Sequence, residues 1–185
     1  MNRATVWLTG RPASGKTTLA AALEGLLVAA GYGVQRIDGD ELRRTVCREL
    51  GFSREDRAEN VRRAGECALA AVRAGKVAVV SLISPYATDR ERVRTAHRQA
   101  DILFIEVHVD CPLDVAEARD PKGLYRRVRA GELRGFTGID DPYEAPSAAE
   151  VVLDTSQSTV QEATQCLLEC LQVCFAAATG PRPIP

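Results

Sequence analysis

Gly10-Arg-Pro-Ala-Ser-Gly-Lys-Thr17 constrains the fold more than any other stretch of this chain, because its spacing is that of a phosphate-binding loop, G-x-x-x-x-G-K-[ST]. An apolar run, Ala4 to Thr9, precedes it, and a helical pattern from Thr18 to Leu27 follows. Strand, loop and helix in that order are what such a loop requires. Glycines let backbone N–H groups turn inward on a polyanion, and the helix N-terminus adds its partial positive charge. Gly10, Arg11, Pro12, Ala13, Ser14 and Gly15 therefore form the expected cradle, with Thr18 behind it. Lys16 reaches the outer phosphates, and the Thr17 hydroxyl is the expected Mg²⁺ ligand. Pro12 removes one N–H donor from the cradle. The chain is thus expected to bind a nucleoside triphosphate.

Around the loop, apolar stretches alternate with helical patterns, which predicts an α/β fold: a mostly parallel five-stranded sheet with helices on both faces, the three-layer architecture of phosphate-loop proteins. Strands are expected at 4–9, 34–38, 77–83, 103–109 and 150–153. Helices are expected from the loop to about Ala30, from near Asp40 to before Gly51, from a capping box at Ser53 and Asp56 to Gly75, over 89–99, and from near Ser158, with Gln161 three residues on. The 185 residues fit one domain, 1–178, followed by a frayed tail at 179–185. The segment 119–135, with Arg119, Lys122, Arg126, Arg127, Arg129 and Arg134, reads equally as a lid over the triphosphate or as an exposed basic helix.

A net charge of −1 lacks the basic excess of a dedicated nucleic-acid binder. No apolar run approaches the roughly 20 residues that cross a bilayer, and the N-terminus carries no signal-peptide pattern. The expectation is a cytoplasmic protein bound to neither nucleic acid nor membrane. Cys166, Cys170 and Cys174 recur at i, i+4 and i+8. A soft-metal or redox site is one reading, and a core-facing row of small apolar side chains is the preferred one.

Asp38-Gly-Asp40 ends the second strand, at the sheet edge that faces a ligand crevice. Asp40 is the expected group to orient an acceptor hydroxyl and take its proton; the alternative is that it caps the following helix. Asp38 is free to hold Mg²⁺ through water or to anchor the loop. Arg57 and Asn60 share a helix face that continues into Val61, Ala64 and Ala68. Taken alone, Arg57 reads as a surface ion pair. Ser84 follows the third strand, held extended by Pro85, and is a candidate contact to the acceptor. It lacks an evident base, and His97 and His108 read as non-catalytic.

Together these stretches resemble the adenylyl-sulfate kinase (APS kinase) family from about Trp7 to Thr155. The specific segments are Asp38–Arg43, Leu50–Arg63, Ile83–Tyr86, Glu117–Tyr125 and Gly135–Pro146. The resemblance implies transfer of the ATP γ-phosphoryl group to the 3′-hydroxyl of adenosine 5′-phosphosulfate, with Mg²⁺, by a homodimer in sulfate assimilation. It implies that Asp40 engages the 3′-hydroxyl and that Arg43, Arg57 and Asn60 grip the phosphosulfate. Phe52 and Phe136 would sandwich the adenine. Ile83, Ser84 and Lys122 would complete the acceptor pocket, while Arg119 lies near ATP. The family assigns the serine matching Ser84 as a phosphoserine intermediate. An in-line transfer with Mg²⁺, Lys16 and Asp40 needs no covalent step, so Ser84 is expected not to be one. Glu41, Leu82 and Ala87 depart from the family's usual Asn, Phe and basic residue. A kinase for another small hydroxyl compound and a non-catalytic sulfonucleotide-binding protein are the two alternatives.

Overall fold

The computed structural model describes residues 4–179. In chain order the elements are β1 (Ala4–Thr9), α1 (Lys16–Ala29), β2 (Val34–Asp38), α2 (Gly39–Arg44), α3 (Arg54–Arg73), β3 (Val77–Ser81), α4 (Ala87–Gln99), β4 (Leu103–Asp110), α5 (Leu113–Arg119), α6 (Leu124–Arg129), β5 (Val151–Asp154) and α7 (Val160–Thr179). The strands form a five-stranded sheet in the order β2-β3-β1-β4-β5, every pairing parallel. The tail expected at 179–185 lies, from residue 180 on, outside the described residues.

Alternation along each strand divides the core into two layers. Ala4, Val6 and Leu8 of β1 join Val77 and Val79 of β3 against Leu19, Leu23 and Leu27 of α1 and Leu167 and Leu171 of α7. Trp7, Ala78 and Val80 turn to the other face, against Val61, Ala64, Ala68 and Val93 of α3 and α4. Successive side chains of a strand point to opposite faces, so a strand covered on both sides reads as a continuous apolar run. That is the pattern of Ala-Thr-Val-Trp-Leu-Thr in β1. Thr5, buried within it, gives its hydroxyl to His97 Nε2 at 3.0 Å, while His97 Nδ1–H donates to Val93 O at 2.8 Å. Burial lowers the His97 pKa, consistent with a neutral ring that ties α4 to β1.

Local chemistry accounts for the helix starts. Ser53 accepts from Asp56 N at 3.1 Å, as the capping pattern predicts. The last helix starts later than Ser158: its reciprocal cap is Thr159 with Glu162, with N–H···O distances of 2.9 and 3.2 Å. A full carboxylate reaching back to a helix N-terminus is favoured over the Gln161 amide, which moves the start along the chain. Cys170 and Cys174 pack against the first core layer, whereas Cys166 is exposed. Burial raises the Cys170 thiol to about 11, which keeps it protonated and suits packing rather than soft-metal ligation.

Three elements were drawn differently by local pattern. The helix expected from Asp40 to before Gly51 is short, ending at Arg44. Strand β3 stops at Ser81 rather than 83. Residues 113–135 hold two short helices, α5 and α6; Leu124, Val128 and Leu133 pack on a third small cluster of Cys111, Ala116, Tyr125 and Phe136. Within the basic segment, α6 turns Arg126, Arg127 and Arg129 outward and lays Leu124, Tyr125 and Val128 against this cluster.

Candidate active site

At the C-terminal end of β1 the chain enters the phosphate loop. Ala13 and Gly15 have φ of +60° and +97°, the left-handed values that turn successive N–H groups inward. Gly10 lies against the backbone of β4: a Cβ there would meet Val109 O at 2.4 Å. Gly10→Ala is expected to lower stability by about 2 kcal/mol, since the nearest obstacle is a backbone carbonyl that cannot rotate away, and to abolish nucleotide binding. Thermal melts and nucleotide calorimetry check this.

Lys16, 8% exposed, folds back on the loop and donates to Gly10 O at 2.9 Å, Arg11 O at 2.6 Å and Ser14 Oγ at 3.3 Å. Burial, against the opposing pull of Asp38, lowers its pKa to about 7. The hydroxyl of Thr17 donates to Asp38 Oδ2 at 2.9 Å, and Ser81 Oγ donates to the same oxygen at 2.7 Å. Burial alone would raise the Asp38 carboxyl, but these hydrogen bonds and the Asp40 N–H outweigh it, so its pKa lies below the usual value. An ionised carboxylate beside a threonine hydroxyl is a hard oxygen donor set, which fits Mg²⁺.

The roles within Asp38-Gly-Asp40 divide cleanly. Asp38 caps α2, its Oδ1 accepting from Asp40 N at 2.9 Å. Asp40 is consequently not the cap. Its carboxylate is half-exposed and pairs with Lys122, which the loop before α6 carries across from the basic segment. Asp38 belongs to the loop's anchorage and Asp40 to the open side of the crevice.

Arg57 is the clearest departure from the sequence reading. It is not a surface ion pair but a buried guanidinium, 7% exposed. It donates to Phe52 O at 2.9 Å, Thr137 Oγ1 at 2.6 Å and Gly135 O at 2.5 Å. One planar fork thus joins the start of α3 to a loop some eighty positions on. It carries with it Phe52, which is exposed under the Arg43 guanidinium at 4.3 Å, and Phe136, which meets Tyr125 edge-on at 4.9 Å. Arg43 is further fixed by Gly51 O at 2.8 Å. On the same face as Arg57, Asn60 is buried with its Oδ1 unpartnered.

Ser84 is not extended. Its φ is +40°, and its hydroxyl, 1% exposed, accepts from Trp7 Nε1 at 3.0 Å. The rule for residues before proline yields here to tertiary contacts on both its side chain and its carbonyl. Ile83 O accepts from Thr9 Oγ1 at 2.7 Å. His108 is also buried, which lowers its pKa, and it stacks on Tyr143 at 6.0 Å.

On the donor side, Arg119 binds Thr155 Oγ1 at 3.0 Å and Thr155 O at 2.5 Å, and the Thr155 hydroxyl reaches Ser14 O at 3.0 Å. The unusual Arg11-Pro12 pair is also engaged. Arg11 donates to Cys111 O at 3.3 Å, lies over the Tyr143 ring at 5.7 Å and packs on Gly138. Pro12 O accepts from Tyr125 OH at 3.0 Å. A cleft of about 400 Å³ is lined by Arg11 and residues 138–143. Tyr125 and Tyr143 lie inside the family-like segments 117–125 and 135–146, and Thr155 at the end of the resemblance. None carries a role in the sequence reading, because their partners Pro12, Thr9 and Ser14 lie more than a hundred positions away.

Comparison with known proteins agrees with this geometry. The family model for adenylylsulphate kinase matches residues 2–154. The adenylyl-sulfate kinase of Saccharomyces bayanus is 50% identical over 167 residues, covering 90% of this chain and 83% of its own. That of Shewanella pealeana is 51% identical over 166 residues, covering 90% and 80%. A Mycobacterium tuberculosis APS kinase, solved in complex with AMPPNP and APS, superposes with a TM-score of 0.90 at 41% identity over 93% of this chain and 99% of its own. With the loop, the Asp38–Asp40 pair and the acceptor-side segments carried on one matching sheet, this chain belongs to the adenylylsulphate kinase family.

Proposed function

We propose that this protein transfers the γ-phosphoryl group of ATP to the 3′-hydroxyl of adenosine 5′-phosphosulfate, giving ADP and 3′-phosphoadenosine 5′-phosphosulfate. The observation that carries the reading is the Arg57 fork. It joins the two aromatic-bearing segments, at Phe52 and at Gly135–Phe136, that the reading assigns to the acceptor base. A purine fits between flat rings. Asn60 Oδ1, buried and without a donor, supports a polar ligand at this wall. Arg43 and Arg57 supply the charge-assisted donors that a phosphosulfate calls for.

In this reading the phosphate loop, Lys16 and Arg119 hold the triphosphate. Asp40 orients the acceptor hydroxyl and takes its proton as the O–P bond forms in line with the departing ADP oxygen. Lys122, now on Asp40, shifts towards the acceptor. Thr17, with Asp38 through water, would hold Mg²⁺, which neutralises charge on the transferring group when bound. The protein acts as a cytoplasmic homodimer in sulfate assimilation. No helix among the described residues is long and apolar enough to cross a membrane. A coupled assay of ADP release, comparing adenosine phosphosulfate with gluconate and nucleosides, tests the acceptor. Equal turnover with the others would overturn it.

Ser84 serves this site through its backbone. Ser84→Ala leaves the Trp7 N–H without its acceptor and is expected to lower stability by about 1–3 kcal/mol, with turnover retained within about tenfold. Abolished turnover with intact acceptor binding would instead restore the covalent phosphoserine.

A further inference from the structure

One buried arginine outside every motif holds the acceptor side together. Arg90, on α4 and 3% exposed, sends its three donor directions to three different segments. Nε donates to Glu106 Oε1 at 2.7 Å, one terminal nitrogen donates to Ser84 O at 2.8 Å, and the other to Glu144 O at 2.8 Å. Glu106 lies in β4, Ser84 in the turn after β3, and Glu144 in the loop that also carries Phe136 and Thr137.

The same two segments are stitched at further points. Glu144 N donates to Pro85 O at 2.8 Å, Ala87 N donates to the Glu144 carboxylate at 2.7 Å, and Tyr86 OH donates to Asp141 Oδ1 at 3.0 Å. The Ile83–Ser84 turn and the 136–146 loop are therefore bonded into one body. Trp7 and Thr9 of β1 hold this body from one strand, and Arg90 ties both of its segments at once to Glu106 of β4. The left-handed backbone at Ser84, unfavourable for a residue with a side chain, is held in place by that contact on its carbonyl.

We propose that Arg90 is a positioning residue for the sulfonucleotide acceptor. It touches no reacting atom; it sets where the acceptor's wall, with Ile83 and Phe136, stands relative to Asp40. This rests on the acceptor assignment above. Lysine at this position keeps the ion pair with Glu106 but cannot make the planar fork. A natural control is Arg94, which binds the same Glu106 at 3.0 Å but turns to Glu150 at 2.5 Å, away from the acceptor loop.

The test is steady-state kinetics of Arg90→Lys and Arg94→Lys, with calorimetric binding of adenosine phosphosulfate and of ATP to each. Arg90→Lys is expected to raise the acceptor KM and Kd about tenfold, the loss of charged hydrogen bonds, with the ATP KM within about twofold of the native value. Arg94→Lys is expected to lower the melting temperature while leaving both KM values in place. An unchanged acceptor KM in Arg90→Lys, or an equal rise in both variants, would overturn the positioning role. If the native protein binds ATP but neither binds nor phosphorylates adenosine phosphosulfate, the acceptor assignment fails and the inference falls with it. Should Arg90→Lys not fold, Glu144→Ala severs the exposed end of the same body at Ala87 N. It is expected to show the same split, and an unchanged acceptor KM there overturns the proposal.

Discussion

Asp40→Asn is expected to lower kcat by about 10²–10⁴, the range lost when a positioned general base is removed, while ATP affinity stays within about threefold. The substitution keeps the size and much of the hydrogen bonding of the side chain but removes its capacity to take a proton. Its structural consequences are small. Asp38, not Asp40, caps α2, so the helix keeps its first turn. The pair with Lys122 joins two half-exposed groups, and such pairs contribute about 0–1 kcal/mol. A lost rate with an unchanged melting temperature therefore separates chemistry from folding. Steady-state ADP release, ATP calorimetry and thermal melts make the comparison. A variant that retains more than about a tenth of native kcat would place the proton acceptor elsewhere.

Lys16→Met is expected to lower kcat/KM for ATP by about 10²–10³, as for other preorganised donors to developing phosphoryl charge. It also changes a pH dependence whose sign is set by burial. In the empty protein the Lys16 pKa falls to about 7 from an ordinary 10.5, burial being the main cause. Between those values the unfolded chain binds the proton and the folded chain does not. The contribution of this group to stability therefore rises with pH across that window and is least below pH 7. A bound polyphosphate reverses the balance by favouring the charged amine. ATP binding at pH 8 should thus take up a proton, seen as a dependence of calorimetric enthalpy on buffer ionisation heat. Lys16→Met should abolish the uptake and remove this group's own share of the stability slope.

How far local pattern reaches is visible in particular elements. Strand β1 begins and ends where its apolar run and the following Gly10 place it, because a strand covered on both faces must be apolar along its length. Strand β2, at the sheet edge, buries only Ile37 and Asp38 before Gly39 marks its end. Helix α3 starts at its Ser53 cap for the same reason: the partner is three residues away. Helix α5 has no counterpart in the sequence reading and α6 falls inside a segment that reads equally as lid or basic helix, since each is too short to show a full amphipathic period. What stabilises them is a cluster assembled from Cys111, Tyr125 and Phe136. Ser84 shows a local rule overridden. Proline after it favours extended backbone, yet Trp7 and Arg90, from β1 and α4, hold it at φ +40°.

The amino-acid sequence by itself determined where the strands lie, the phosphate loop and the identities of Asp38, Asp40 and Lys16 at the strand ends. Each of these depends on neighbours within a few residues, through hydrogen bonding, backbone freedom and alternation. Tertiary structure alone decided which of two aspartates caps and which faces the crevice, and that Arg57 is buried rather than exposed. It also brought Arg90 under Ser84 and Glu144 at once. The Arg57 and Arg90 forks and the pairing of Asp40 with Lys122 depend on donors and acceptors far apart in the chain. A guanidinium's burial becomes favourable only when the fold brings enough acceptors to its fork, and no local pattern carries that information.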